Sequence, residues 1–173
     1  MNAFLDWTAN IGNVSVAGSA DEVSLQRVFG LCGDFYTLLH GHPLKGSEAA
    51  ELLAELPPGV HQQDKVLSLV LDLRGVPLGL LSAYRHYPGP DEWFLGDLVL
   101  APAERNRGLG GQIFDAFEGW VRHQRGSAIH LIVQEVNPAA LRFWTGRGFR
   151  EVAQTRQTVG SREHLVFRLR RDL

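Results

Sequence analysis

The stretch Leu95-Gly96-Asp97-Leu98-Val99-Leu100-Ala101-Pro102-Ala103-Glu104-Arg105-Asn106-Arg107-Gly108-Leu109-Gly110-Gly111 decides the fold. Trp93 to Leu100 reads as a strand, Pro102 stops it, and a glycine-rich loop leads into a helix that Gly108 opens. Leu109, Ile113, Phe117, Trp120 and Val121 then recur at the three-to-four spacing of one buried helix face. Glycines in such a loop permit backbone conformations closed to other residues and keep side chains out of a ligand's path. The loop's N–H groups and the positive end of the helix suit an anion such as a pyrophosphate. Arg105 and Arg107 can add charge, to that pyrophosphate or to a ribose phosphate. Two better-known phosphate loops are absent: a G-x-G-x-x-G fingerprint would need glycine where Ile113 stands, and no Gly-Lys-Ser/Thr occurs. Taken alone, the loop reads more simply as a tight turn into a helix with two solvated arginines.

Outward from this loop the periodicity changes. Upstream, Val66 to Leu71 and Leu78 to Tyr84 are strand-like and join as a hairpin across Arg74-Gly75, and Pro88-Gly89-Pro90 turns the chain into the decisive strand. Further upstream, Val14 to Ala17 reads as a short first strand. A helical pattern runs from Asp21 through Val28, Phe29 and Leu31 and loosely on to Leu39, until Gly41-His42-Pro43 breaks it. Ser47 to Leu56 reads as a helix capped by Ser47 and ended by Pro57-Pro58-Gly59. Downstream, Ile129 to Val133 is a near-continuous apolar strand, as expected where both faces are covered. Asn137-Pro138 starts a helix, with Asn as N-cap and Pro at the first position, ending at Gly146-Arg147-Gly148. Val152 to Thr158 and His164 to Leu169 complete the chain as a hairpin across Val159-Gly160-Ser161. The whole predicts one α/β domain over residues 1–173, a mixed sheet with helices layered on it.

Composition narrows the class. A net charge of −2 gives no basic surface of the kind nucleic acid or anionic membranes require. Cys32 is the only cysteine, which excludes an intrachain disulfide and argues against a cysteine-based zinc site; no metal is expected. No apolar run approaches the roughly 20 residues of a membrane span, and the N-terminus lacks a leader pattern, so a cytoplasmic protein is expected. A homodimer is left open.

Two segments carry a family resemblance. Leu98 to Gly110 resembles the acetyl-CoA motif of the GNAT superfamily of acetyltransferases, whose core is Gln/Arg-x-x-Gly-x-Gly/Ala after a hydrophobic-x-hydrophobic-x-Pro strand end. Asn137-x-x-Ala140-x-x-Phe143-Trp144-x-x-x-Gly148-Phe149 is similar to the family's Asn-x-x-Ala-x-x-hydrophobic-Tyr-x-x-x-Gly-Phe helix, departing at residue 144. The resemblance implies a GNAT-type mixed sheet with helices on both faces. Its strands would splay around the pantetheine arm of acetyl-CoA, with acetyl transfer to an amine acceptor. It further implies that Leu98, Val99 and Leu100 offer backbone groups to that arm, a backbone N–H near Leu100 serving as oxyanion donor. Asn106, Arg107, Gly108, Leu109, Gly110 and Gly111 would hold the pyrophosphate. Asn137 would bond the coenzyme near the thioester, and Ala140, Phe143 and Trp144 would wall it.

The chemistry itself asks little. An alkyl ammonium of pKa about 10.4 must lose a proton before its nitrogen can attack, so a carboxylate beside the site is useful. Asp97 is the best-placed candidate and Glu92, at the strand's start, the second. An acid satisfied at a strand bulge, or paired with a buried arginine, explains Asp97 equally well. His40, His42 and His86 are less specific; Tyr36 and His40 lie in the helical region that in relatives helps form the acceptor pocket. Trp144 replaces the tyrosine whose phenol can protonate the leaving thiolate, and an indole N–H does not give up its proton near neutrality. That departure keeps two rivals in view: a catalytically weak acetyl-CoA sensor of the same fold, and a different nucleotide-binding module.

Overall fold

The computed structural model describes residues 14–173; the amino-terminal segment read above as lacking a leader lies mostly outside them. Seven strands form one mixed sheet in the order β1-β2-β3-β4-β5-β7-β6. They are β1 (Val14–Val16), β2 (Lys65–Leu71), β3 (Pro77–Arg85), β4 (Glu92–Leu100), β5 (Ala128–Gln134), β6 (Arg150–Val159) and β7 (Arg162–Asp172). All neighbours are antiparallel except β4 and β5. The helices are α1 (Glu22–Leu31), α2 (Gly33–His40), α3 (Glu48–Ala54), α4 (Leu109–His123) and α5 (Pro138–Gly146).

Two apolar cores lie on opposite faces of the sheet. Leu25, Val28, Phe29 and Leu52 of α1 and α3 pack on Leu67, Leu69, Leu80 and Val99. Ile113, Phe114 and Phe117 of α4, with Trp144 of α5, pack on Leu81, Leu95, Leu131 and Leu169. Alternation along each strand therefore sorts side chains to an α1–α3 face and an α4–α5 face. Helices do cover both faces, as expected. Among the described residues no helix is long and apolar enough to cross a membrane.

The upstream helical pattern differs in detail from the sequence reading. It is two helices, because Cys32 leaves helical geometry between Gly30 and Gly33, residues that weaken the helix on either side. Ser47 does stand before α3, yet its hydroxyl bonds the Glu51 carboxylate at 2.6 Å instead of a backbone N–H. The far end of α3 is capped by Lys65, whose ammonium donates to the carbonyls of Leu52, Leu53 and Glu55. The C-terminus of α2 is held by β7 and the turn before it. Arg162 donates to the Leu38 carbonyl, His164 Nε2 to Leu39 at 2.7 Å, and Ser161 N–H to His40 at 2.9 Å.

Candidate active site

The site begins where two parallel strands part. β4 and β5 pair only through Glu92, Trp93 and Phe94 against Ala128, Ile129 and His130. Beyond Phe94 the ladder ends while β4 continues to Leu100 and β5 to Gln134, leaving a wedge between them. A bulge helps to open it. Ser82 faces Asp97 and Ala83 faces Leu95, so Gly96 is the extra residue on β4, and such insertions bend and twist a strand. A Cβ on Gly96 would stand 2.6 Å from Ser82 Oγ, so the close approach requires glycine.

Backbone groups line the wedge. The Ala101 N–H donates to the Leu78 carbonyl at 2.7 Å, on the β3 side. In an antiparallel ladder this direction alternates, so Val99 also turns its backbone groups to β3 while Leu98 and Leu100 turn theirs to the wedge. Of the three backbone candidates, Leu98 and Leu100 are thus suitably oriented and Val99 is not. The Leu100 carbonyl is already engaged, by Arg105 Nε at 2.8 Å and by the buried Cys32 thiol at 3.4 Å.

At the mouth of the wedge stands the N-terminus of α4. Gly108 precedes it with φ +85, and Asn106 also has positive φ, at 59. Among the described residues no side chain caps the first turn, so the N–H groups of Leu109, Gly110 and Gly111 stay available to an anion. Gly110 faces Leu100 and Phe143 at 3.7 and 3.9 Å from an added Cβ, and Gly111 packs against the Arg147 guanidinium. The two loop arginines are less free than the sequence suggested. Arg105 makes a two-pronged contact with Asp34 of α2, at 2.9 and 3.3 Å, and Arg107 lies 3.4 Å from Glu104. Arg105 is therefore a brace between α2 and the end of β4.

On the α5 side, Asn137 Oδ1 caps Ala140 N–H at 3.1 Å, which leaves its amide nitrogen to donate elsewhere. Phe143 lies partly buried beside the loop, with Ala140 packed nearby on the same core. Trp144 is 8% exposed, its indole edge-on to Phe114, Phe143 and Phe149 at 4.7–5.3 Å. Its ring is a core element of α5.

On the other face, Asp97 Oδ2 accepts the Ser82 hydroxyl at 2.7 Å. Burial pushes the Asp97 carboxyl above its ordinary range, while the Ser82 bond and the positive charge of Lys65 pull it down. Tyr36 of α2 is buried, its hydroxyl has no partner among the described residues, and burial followed by the nearby Asp97 charge raises its pKa. Tyr84 and Glu55 share this environment, each raised by burial and by Asp97. Glu92 is elsewhere. It sits at the paired end of β4, roughly 15 Å along the strand from Asp97, ion-paired with Arg170 at 2.9 Å and 3.2 Å from His130. A carboxylate so engaged and so placed does not face the wedge, and this corrects its standing as second candidate. Ser82 and Asp34 were not foreseen; their partners lie 15 and 71 residues away, beyond any local periodicity.

A separate cavity of about 570 Å³ opens at the other end of the sheet, beside Arg85, Trp93 and Gln124, and of the residues discussed for the wedge takes in Trp93 and Lys65 alone.

Comparison with known proteins follows the same geometry. The Acetyltransferase (GNAT) family matches residues 34–149, which span the wedge, the glycine loop, α4, β5 and α5. An acetyltransferase from Thermus thermophilus is similar in fold, with TM-score 0.74 and 24% identity over 93% of this chain and 96% of that one. The spermidine N-acetyltransferase of Vibrio cholerae, solved with CoA and spermine, has TM-score 0.71 and 14% identity over 92% and 94%. The ribosomal-protein-S18-alanine N-acetyltransferase of Escherichia coli has TM-score 0.68 and 14% identity over 92% of each chain.

Proposed function

The chain belongs to the acetyltransferase (GNAT) family, and from that premise we propose that it moves the acetyl group of acetyl-CoA directly to a primary amine of a small molecule or peptide, acting as a single domain. The observation that carries this reading is the wedge between β4 and β5, opening onto a helix N-terminus with no side-chain cap. Those features fit a pantetheine arm with a pyrophosphate at its end: backbone N–H groups along one wall, anion-seeking N–H groups at the mouth, and no bulky side chain at Gly108 or Gly110.

Acetyl-CoA, when bound, would supply the activated acetyl group, with the CoA thiolate as leaving group. The loop from Asn106 to Gly111 holds the pyrophosphate through backbone N–H groups and the dipole of α4. Leu98 and Leu100 direct N–H groups into the wedge, where one stabilises the negative charge that develops on the acetyl oxygen. The Asn137 amide, Ala140 and Phe143 flank the arm. Asp97 takes the proton from the substrate ammonium, directly or through water, and burial places its pKa nearer the working range of a base. The freed nitrogen forms the new C–N bond as the C–S bond breaks; the nitrogen sheds its second proton to water, Asp97 returns the first to solvent, and solvent protonates the departed thiolate. Trp144 does not protonate the sulfur; a thiolate of pKa about 8.5 can leave without that help.

Thermal melting tests the coenzyme class. Acetyl-CoA at 100 times its Kd should stabilise the fold by about 2.7 kcal/mol, while ATP and NAD leave melting unchanged. Equal stabilisation by ATP or NAD would overturn the reading. The buried indole at residue 144 favours a second reading, a sensor that binds acetyl-CoA without efficient transfer. Thiol release over a panel of amines separates the two.

A further inference from the structure

Arg168 lies on the same face of the sheet as Asp97, and among the described residues its charge is unpaired. The sheet register fixes where it lies. Arg168 pairs with Ile132 of β5, and residues directly opposite across a ladder share a face. Ile129, Leu131 and Val133 belong to the α4–α5 core, so Ile132 and Arg168 point to the opposite side, the face that carries Asp97 and Val99. Phe94 pairs with His130, so two residues further on Ile132 stands level with Gly96 and Asp97, across the wedge. The order along this face is Asp97, wedge, Ile132, Arg168. The end positions are at least two strand spacings apart, roughly 10 Å at the backbone. The C-terminal end of α2 docks on the start of β7, and Tyr36 on that helix is close enough to Asp97 to feel its charge.

The guanidinium of Arg168 is half-buried and has no hydrogen-bond or ion-pair partner among the described residues. Its neighbours on β7 are spent otherwise: Arg170 on Glu92 and Asp172, Arg171 on Glu118. Burial lowers the pKa of His130 and Glu92 opposes it; Arg170 and Arg168 add smaller lowering effects, so the Arg168 charge reaches His130 on this face. The cation beside Asp97 is a different one, Lys65, already committed to the carbonyls at the end of α3. An acid on one side of the wedge and an arginine on the other, on the same face of the sheet, form a two-ended electrostatic pattern.

We propose that the acceptor is a zwitterion, an aminocarboxylate or similar amino acid analogue whose amine meets Asp97 and whose anionic group is held by Arg168. This rests on the acetyltransferase reading above. Arg168 takes no part in bond making; it selects the substrate and sets its distance from the thioester. Guanidinium matches a carboxylate with two parallel N–H donors, and a polycationic amine meets repulsion at the same point.

Matched substrates test this with the full chain and acetyl-CoA, reading thiol release. The panel sets a series of L-amino acids beside their carboxamides and the amines left by decarboxylation, with spermidine included. The wild type should favour the free carboxylates at least tenfold in kcat/KM, mainly through KM. Arg168→Gln should erase that preference while leaving the carboxamides within about twofold, and Arg168→Lys should restore part of it. Preference for spermidine or the carboxamides, or an equal loss for both members of each pair in Arg168→Gln, overturns the role of Arg168 while the transferase reading stands. Failure of acetyl-CoA to bind the wild type, measured by calorimetry, overturns both.

Discussion

Ser82 donates its hydroxyl to Asp97 Oδ2 across 2.7 Å, from a position with no exposed surface. The pair crosses the β3–β4 ladder at the bulge, and the bond works against burial, which drives the Asp97 pKa upward. Ser82→Ala should therefore move the acid limb of the kcat/KM–pH profile to higher pH. Above that limb the rate should stay within about threefold of wild type. A uniform drop at every pH would make Ser82 a packing residue only.

Asp97→Asn separates catalysis from stability. Because its folded pKa is raised, the native protein retains a proton that the unfolded chain releases. The stability tied to that proton is complete below the unfolded carboxyl pKa, about 3.9, and is lost as pH rises through the folded value. Asparagine never ionises, so the variant should melt no lower than wild type at pH 7, with its relative stability improving as pH rises. Turnover should fall roughly 10²–10³-fold, the deficit shrinking at high pH as free amine becomes abundant. Earlier melting with an unchanged profile shape would assign Asp97 to structure.

The brace from Arg105 to Asp34 has the opposite sign. The Arg105 hydrogen bond is the largest cause that lowers the Asp34 pKa, so its stabilisation is present above the ordinary carboxyl pKa and is lost as pH falls through the depressed value. Asp34→Asn should lower melting slightly at pH 7, with the difference vanishing in acid and shrinking in salt. Acetyl-CoA affinity should weaken by less than about tenfold, because the guanidinium steadies Leu100 and does not carry the pyrophosphate. A far larger loss of affinity would return Arg105 to the phosphate site.

Trp144 should matter to the fold before it matters to the chemistry. Trp144→Ala empties the aromatic cluster around Phe114, Phe143 and Phe149 and should cost about 3–5 kcal/mol in urea unfolding. Trp144→Tyr should keep acetyl-CoA affinity within about tenfold, with turnover equal or higher. A large turnover loss at unchanged affinity would give the indole an active part.

Much of the molecule was legible in the chain. Pro102, Gly108 and the apolar repeat of α4 located the strand–loop–helix unit, because those signals act over a few residues. Asn137 before Pro138 likewise marked α5, and its cap formed as its chemistry requires. What stayed hidden depends on pairing across the sheet. The contact of the Cys32 thiol with the Leu100 carbonyl, 68 residues away, left no local signal. Arg105 looked like a phosphate ligand because Asp34 is remote in sequence. Glu92 and Asp97 were indistinguishable as acids on one strand until the ladder put one at its closed end and the other beside the wedge. Arg168 carried no local signal, since its meaning lies in the sheet register that sets it across the wedge from Asp97.

The central claim, that this chain transfers acetyl from acetyl-CoA to an amine with Asp97 as base, is tested most directly by one stoichiometric measurement. Purified protein, acetyl-CoA and a panel of primary amines are followed for released thiol and, by mass spectrometry, for acetylated amine. The account predicts equal amounts of both products with at least one amine, and a roughly 10²–10³-fold slower rate in folded Asp97→Asn. Acetyl-CoA binding with no acetylated product from any amine, or an undiminished rate in Asp97→Asn, would contradict it.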